Sequence, residues 1–198
     1  MKRTESYIKL VEVYVEQILS ELPTQLSYHN FRHTLEVVEA AKILGKGNQL
    51  STVDLEIVII AAWFHDSGHL KCYFGHEQAS KEIAETYLRS IHYPSKRLTK
   101  VLDCIEATKF PPEPKTLLEK VICDADMYHL AQNDYLSKCF ALKEEIEYII
   151  EKKIPDEDWC ICNMEFLSKH QYYTTFAKHQ LESEKIDNVK TFASKYLK

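Results

Sequence analysis

Apolar residues recur at helical spacing along almost the whole chain. Ile8, Val11, Val15, Ile18 and Leu19 form one stripe between Ser6 and Leu22, and Pro23 ends that segment. A second stripe of Leu35, Val38, Ala41, Ile43 and Leu44 follows a Tyr28-His29-Asn30 turn and runs to Gly45, with His33 in its first turns. The third segment begins near Ser51 or Thr52, good N-caps, and passes through Ile57-Val58-Ile59-Ile60-Ala61-Ala62-Trp63-Phe64. A helix apolar on every side is a central one. Its expected end is Gly68, which would place His65 and Asp66 in its last turn at the rim of the core.

Further stripes predict helices over Glu77 to Arg89 and over Ser95 to about Ala107. Phe110-Pro111-Pro112-Glu113-Pro114 then breaks the pattern. A helix from Thr116 onward carries Leu117, Leu118, Val121 and Ile122, and it delivers Asp124 and Asp126 into the same apolar neighbourhood. Asp134 to Lys153, Asp156 to Ser168 and Tyr172 to Leu197 read as three more helices. The four glycines, Gly45, Gly47, Gly68 and Gly75, fall between the periodic segments, where C-caps and turns need them. No internal repeat, low-complexity tract or linker interrupts the order. The expectation is an all-α fold of eight to ten helices in a single domain over residues 1–198.

At 198 residues the chain is long enough for a core that needs neither cofactor nor disulfide, burying roughly 70% of its unfolded surface. A hydrophobic share of 45% and a charged share of 28% are ordinary for a globular protein. The formal net charge of -5 argues against a dedicated nucleic-acid or membrane surface. No secretory signal follows Met1-Lys2-Arg3, and the longest apolar run is too short to span a bilayer, so a cytoplasmic location is expected. Six scattered cysteines, Cys72, Cys104, Cys123, Cys139, Cys160 and Cys162, never form a CxxC pair and read as reduced thiols.

The chemistry concentrates around Asp66. This carboxylate follows eight apolar residues, and a buried carboxylate is costly unless it is paired or binds a metal. A helix C-terminus also disfavours an anion, which favours a cation beside it. His33 and His65-Asp66 lie on consecutive helices with a short connection, so antiparallel packing brings the start of one beside the end of the next. Asp126, arriving on a later helix, would complete two nitrogens and two oxygens with positions open for water, as a catalytic site requires. A divalent ion so held lowers the pKa of its water to about 7 and polarises a phosphoryl oxygen. His29, four residues before His33, is placed to protonate a leaving alkoxide.

The remaining candidates are weaker. A lone histidine near an apolar face is usually a core or surface residue. Arg32 and Lys109 could neutralise phosphate oxygens, although a charge beside a motif is more often solvated. His76 could bind a second ion or cap its helix with Glu77. Asp124 could orient a metal-bound histidine or replace Asp126 as the ligand. His92, His129, His170 and His179 read as structural or solvated, and Tyr172-Tyr173 as core.

A histidine, a histidine-aspartate doublet after an apolar helix and a later aspartate together resemble the signature of the HD superfamily of metal-dependent phosphohydrolases. Here they are His33, His65-Asp66 and Asp126, the last within Cys123-Asp124-Ala125-Asp126-Met127. The resemblance covers roughly residues 24–135 and leaves 136–198 as a helical C-terminal extension. Tyr28-His29-Asn30 followed by His33 looks like the start of the catalytic domain in class I cyclic-nucleotide phosphodiesterases. That likeness implies that His29 protonates the leaving 3′ oxygen, that His33 binds metal and that His69 stands behind the ligands. It does not extend to those enzymes' C-terminal substrate region. The whole layout, with Gly75-His76-Glu77 and Ala107-Thr108-Lys109, is more similar to small bacterial HD phosphohydrolases. Dinuclear members place two further histidines between the doublet and the last aspartate. Here His76 fills one position and Ala107-Thr108-Lys109 occupies the other.

The resemblance implies a divalent metal (manganese, magnesium, iron or zinc) and a small-molecule nucleotide as the partner. The specific expectation is a cyclic-nucleotide phosphodiesterase. A nucleotidase or alarmone-type hydrolase is the alternative enzyme, and a non-catalytic nucleotide-sensing module is the alternative class. The sequence leaves oligomeric state and metal count open.

Overall fold

The computed structural model describes residues 2–196 and arranges them as nine α-helices, with no strand among the described residues. They are α1 (Lys2–Leu19), α2 (Phe31–Gly47), α3 (Thr52–Phe64), α4 (His76–Ser90), α5 (Ser95–Ala107), α6 (Leu117–Asp126), α7 (Tyr135–Ile149), α8 (Asp156–Lys169) and α9 (Thr175–Tyr196). Two 3-10 turns, Ser67–Leu70 and Met127–Ala131, follow α3 and α6. None of the described helices is long and apolar enough to cross a membrane.

The apolar run makes α3 the centre of the bundle. Every residue from Ile57 to Phe64 is at most 4% exposed, and α1, α2, α5 and α6 pack around it. Each buried aliphatic or phenylalanine side chain there contributes about 1.5–3 kcal/mol of transfer free energy. Caps set the registers of the helices that surround it. Asn30 accepts from the backbone N–H groups of Arg32 (3.0 Å) and His33 (3.3 Å), which starts α2 with His33 in its first turn. Thr116 and Glu119 form a reciprocal capping box at the start of α6, whose last residue is Asp126. A second, smaller hydrophobic cluster of Leu130, Tyr135, Cys139, Trp159, Cys160, Leu167 and Phe192 ties α7, α8 and α9 together. All six cysteines are free, with Cys72 and Cys162 exposed and the other four buried.

Several helix ends differ from the sequence expectation. The first helix stops at Leu19, α7 stops at Ile149, and α9 starts at Thr175. The expected end at Leu197 lies outside the described residues. Gly45 and Gly47 sit inside the last turns of α2. The largest difference is at α3, which ends at Phe64. His65 follows as its cap, and Asp66 opens the 3-10 turn Ser67–Leu70.

Gly68 therefore does not cap α3. It is required by close approach, because a Cβ there would collide with the His76 carbonyl oxygen and lie 2.7 Å from the Ser80 nitrogen. Ser80, fully buried, fastens the turn by donating to the His65 carbonyl (2.6 Å) and accepting from the Gly68 N–H (2.8 Å). Gly68→Ala should cost about 1–3 kcal/mol through overpacking. It should also weaken metal binding, since the displaced turn carries Asp66 and His69. Denaturant midpoints and metal titration of the variant check both effects.

Candidate metal centre

Four side chains converge where the start of α2, the end of α3 and the end of α6 meet. His33 Nε2 lies 3.4 Å from Asp66 Oδ2 and 3.4 Å from Asp126 Oδ1, and His65 Nε2 lies 3.1 Å and 3.6 Å from the same two atoms. His65 donates its Nδ1–H to the Ala62 carbonyl at 2.8 Å, which leaves the Nε2 lone pair facing the cluster. His33, His65 and Asp66 are all buried. His33 Nε2, His65 Nε2 and Asp66 Oδ2 have no hydrogen-bond partner. An unsatisfied buried polar atom costs about 1–3 kcal/mol, and three facing one point call for a shared partner.

A divalent cation fits that requirement. Ligand bonds of about 2.0–2.2 Å put neighbouring donor atoms about 2.8–3.6 Å apart in octahedral or tetrahedral geometry, the span found here. Two imidazole nitrogens with carboxylate oxygen suit a borderline divalent ion. The electrostatics agree. Burial opposes charge on His33 and His65, yet Asp126 and Asp66 outweigh it and hold both imidazoles above their ordinary range, far above for His65. Burial likewise opposes ionisation of Asp66 and Asp126, but the two histidines keep both carboxyls well below the usual carboxylate range. The site is thus built to hold positive charge.

A second cluster shares Asp66. His76 Nε2 lies 3.2 Å from Asp66 Oδ1, with His76 Nδ1 held 3.1 Å from the Tyr73 carbonyl. His69 is 8% exposed, stacks on His76 at 3.9 Å between ring centroids, and has neither ring nitrogen bonded. Burial, reinforced by the neighbouring His29 and His76, pushes its pKa down to about 3, so it is neutral at physiological pH. His29, Asp66 and His69 present ligand atoms within 4.8 Å of one another. His69 and His76 thus both stand close to Asp66.

His29 has a partner that sequence reading missed. Glu145, fully buried on α7, pairs through Oε1 with His29 Nδ1, and the Tyr73 hydroxyl donates to the same oxygen at 2.9 Å. Glu145 Oε2 accepts from the backbone N–H groups of Tyr28 (2.8 Å) and His29 (2.9 Å). Burial would raise the Glu145 pKa, but His29 and these two N–H groups lower it.

Two expectations need correction. Asp124 faces away from the cluster. Two residues before Asp126, it points about 200° away around the helix, and its carboxylate accepts from the Tyr173 (2.7 Å) and Thr174 (2.8 Å) N–H groups. Lys109 lines a separate groove with Asp103, Glu106 and Phe110 that shares no residue with the cavity beside His33. His129 is structural as expected, with Nδ1 3.0 Å from the Asp126 carbonyl and 3.1 Å from the Tyr28 hydroxyl, and it also borders that cavity. Arg32 stands in an adjoining recess with His33, paired with Glu36 and Asp134. Tyr172 is core, at 1% exposure.

Asp124→Asn would leave one acceptor for two backbone donors. It should destabilise the fold by about 1.5–3 kcal/mol and leave metal stoichiometry unchanged. Thermal denaturation with metal analysis of the purified variant checks this, and a lost equivalent of metal would restore Asp124 to the ligand set.

Comparison with known proteins accords with this geometry. Residues 30–131 match the family model for the HD domain. A Northeast Structural Genomics target from Lactobacillus plantarum, seen in a crystal structure, has a similar fold at TM-score 0.67 and 14% sequence identity. The similarity covers 97% of this chain and 97% of that one. A search of curated proteins gave no match. With more than half of its length matched, the chain belongs to the HD domain family, a family typically of metal-dependent hydrolases.

Proposed function

We propose that this chain hydrolyses a nucleotide phosphoester, with a cyclic mononucleotide as the specific substrate. The observation that carries the reading is the set of unpartnered buried atoms, His33 Nε2, His65 Nε2 and Asp66 Oδ2, beside a cavity of about 470 Å³ that His33 and Asp126 border. A cavity of that size suits a mononucleotide. His33, His65, Asp66 and Asp126 would hold a divalent ion such as manganese, iron, magnesium or zinc. His69 and His76 with the second oxygen of Asp66 would hold a further one. Bound there, the cation supplies Lewis acidity and an acidified water.

The chain's own residues supply the rest. Glu145 accepts the Nδ1–H of His29 and fixes the orientation of the ring, so that Nε2 is the nitrogen left to serve the leaving oxygen. This pairing supports a role for His29 as general acid rather than as a ligand of a second ion. The Tyr28-His29-Asn30 turn supports the cyclic-nucleotide assignment through its likeness to class I phosphodiesterases. The reading is tested by incubating manganese-loaded protein with cyclic AMP, cyclic GMP and a panel of nucleoside phosphates. Release of a nucleoside monophosphate from the cyclic substrates, lost on chelation and regained with manganese, is expected. An inert panel would overturn the reading.

A further inference from the structure

The cavity beside His33 is poor in usable positive charge. Lys138 borders it, but its Nζ lies 2.8 Å from Glu36 Oε2 and 3.0 Å from Asp134 Oδ1. Arg32, in the adjoining recess, pairs with the same two residues at 3.1 Å and 3.8 Å. Glu36 sits one turn after His33 on the same face of α2, so a carboxylate stands directly beside the ligand set. Glu39 adds another at the cavity wall. The remaining surface includes the apolar Leu35, Ala40 and Ile43 and the neutral amides of Gln132 and Asn133. Beyond what the metal centre compensates, further phosphate charge meets carboxylates that already hold both Lys138 and Arg32.

Building on the phosphohydrolase reading above, we propose that this cavity selects phosphate diesters carrying a single negative charge over monoesters and polyphosphates. Glu36 and Asp134 are the specificity-determining residues. They act by sequestering Lys138 and Arg32 and by repelling additional phosphate charge. A carboxylate several ångströms from a bound anion, in surroundings intermediate between water and protein interior, changes affinity on the order of tenfold per unit of ligand charge.

The test uses manganese-loaded protein at mildly alkaline pH, where phenyl phosphate is a dianion and diphenyl phosphate a monoanion. Both are titrated calorimetrically into wild type, Glu36→Gln and Asp134→Asn, and the p-nitrophenyl counterparts are used for hydrolysis. Wild type is expected to cleave the diester with the higher kcat/KM. In each variant the affinity for phenyl phosphate should rise on the order of tenfold relative to diphenyl phosphate, and added salt should shrink the wild-type preference. An unchanged affinity ratio in both variants overturns the proposal, as does faster cleavage of the monoester by wild type, and both leave the phosphohydrolase reading standing. If neither ester is cleaved, that reading falls, and the affinity ratios decide the charge selection alone.

Discussion

Replacing Asp66 with alanine should strip the protein of metal and reduce phosphoester hydrolysis on the order of a thousandfold. Asp66 is the one residue shared by both clusters, with Oδ2 facing His65 and His33 and Oδ1 facing His76. No neighbour can substitute for it. The effect on stability depends on whether metal is present. Without metal, the substitution removes the carboxylate that His33, His65 and His76 face, so the variant should already melt below wild type. With free metal at a hundred times its dissociation constant, wild type gains about 2.7 kcal/mol and the variant gains nothing. At about 2–4 °C per kcal/mol for a chain of this size, wild-type Tm should fall by about 5–10 °C on chelation, while the variant's Tm should not respond. Paired thermal melts with and without chelator, together with metal analysis, make the measurement. A full equivalent of tightly bound metal in Asp66→Ala would place the ligand set elsewhere.

The parts of this site legible in the sequence are those where burial and chemistry conflict. Ile57 to Phe64 announces a helix buried on all sides, and a carboxylate two residues beyond it has no bland explanation. What stayed hidden depends on which way a polar residue faces. Asp124 and Asp126 occupy the same short helix, and nothing in their spacing says which one turns to the histidines and which to the backbone of Tyr173 and Thr174. Glu145 lies in Lys143-Glu144-Glu145-Ile146-Glu147, a run that reads as a solvated face. It is buried because the face of α7 that carries Lys138, Ala141 and Glu145 packs against the turn before α2. The backbone N–H groups of that turn need acceptors, so the packed face is polar and helical periodicity cannot reveal it. Gly68 is a similar case. Its reason is the neighbouring helix that begins at His76, and local reading could offer only a cap.

Glu145→Gln should separate the fold from the chemistry. One fully buried carboxylate here serves four donors, namely the N–H groups of Tyr28 and His29, the His29 ring and the Tyr73 hydroxyl. An amide of the same shape turns an N–H₂ group towards donors and loses the charge. Hydrogen bonds to charged groups contribute about 1.5–3 kcal/mol each, so a net loss of about 3 kcal/mol and a drop in Tm of about 6–12 °C are expected. The folded pKa of Glu145 is depressed, so its contribution is fully present above the unfolded glutamate value of about 4.3 and is lost as pH falls through the folded value. Stability curves of wild type and variant should therefore converge below about pH 4. Activity should respond separately from stability. With the carboxylate partner of Nδ1 gone, the His29 ring is less well oriented, and kcat should fall on the order of a hundredfold while metal content stays the same and KM moves little. A variant that melts early but keeps the wild-type kcat would reduce Glu145 to a structural tie with no part in positioning His29.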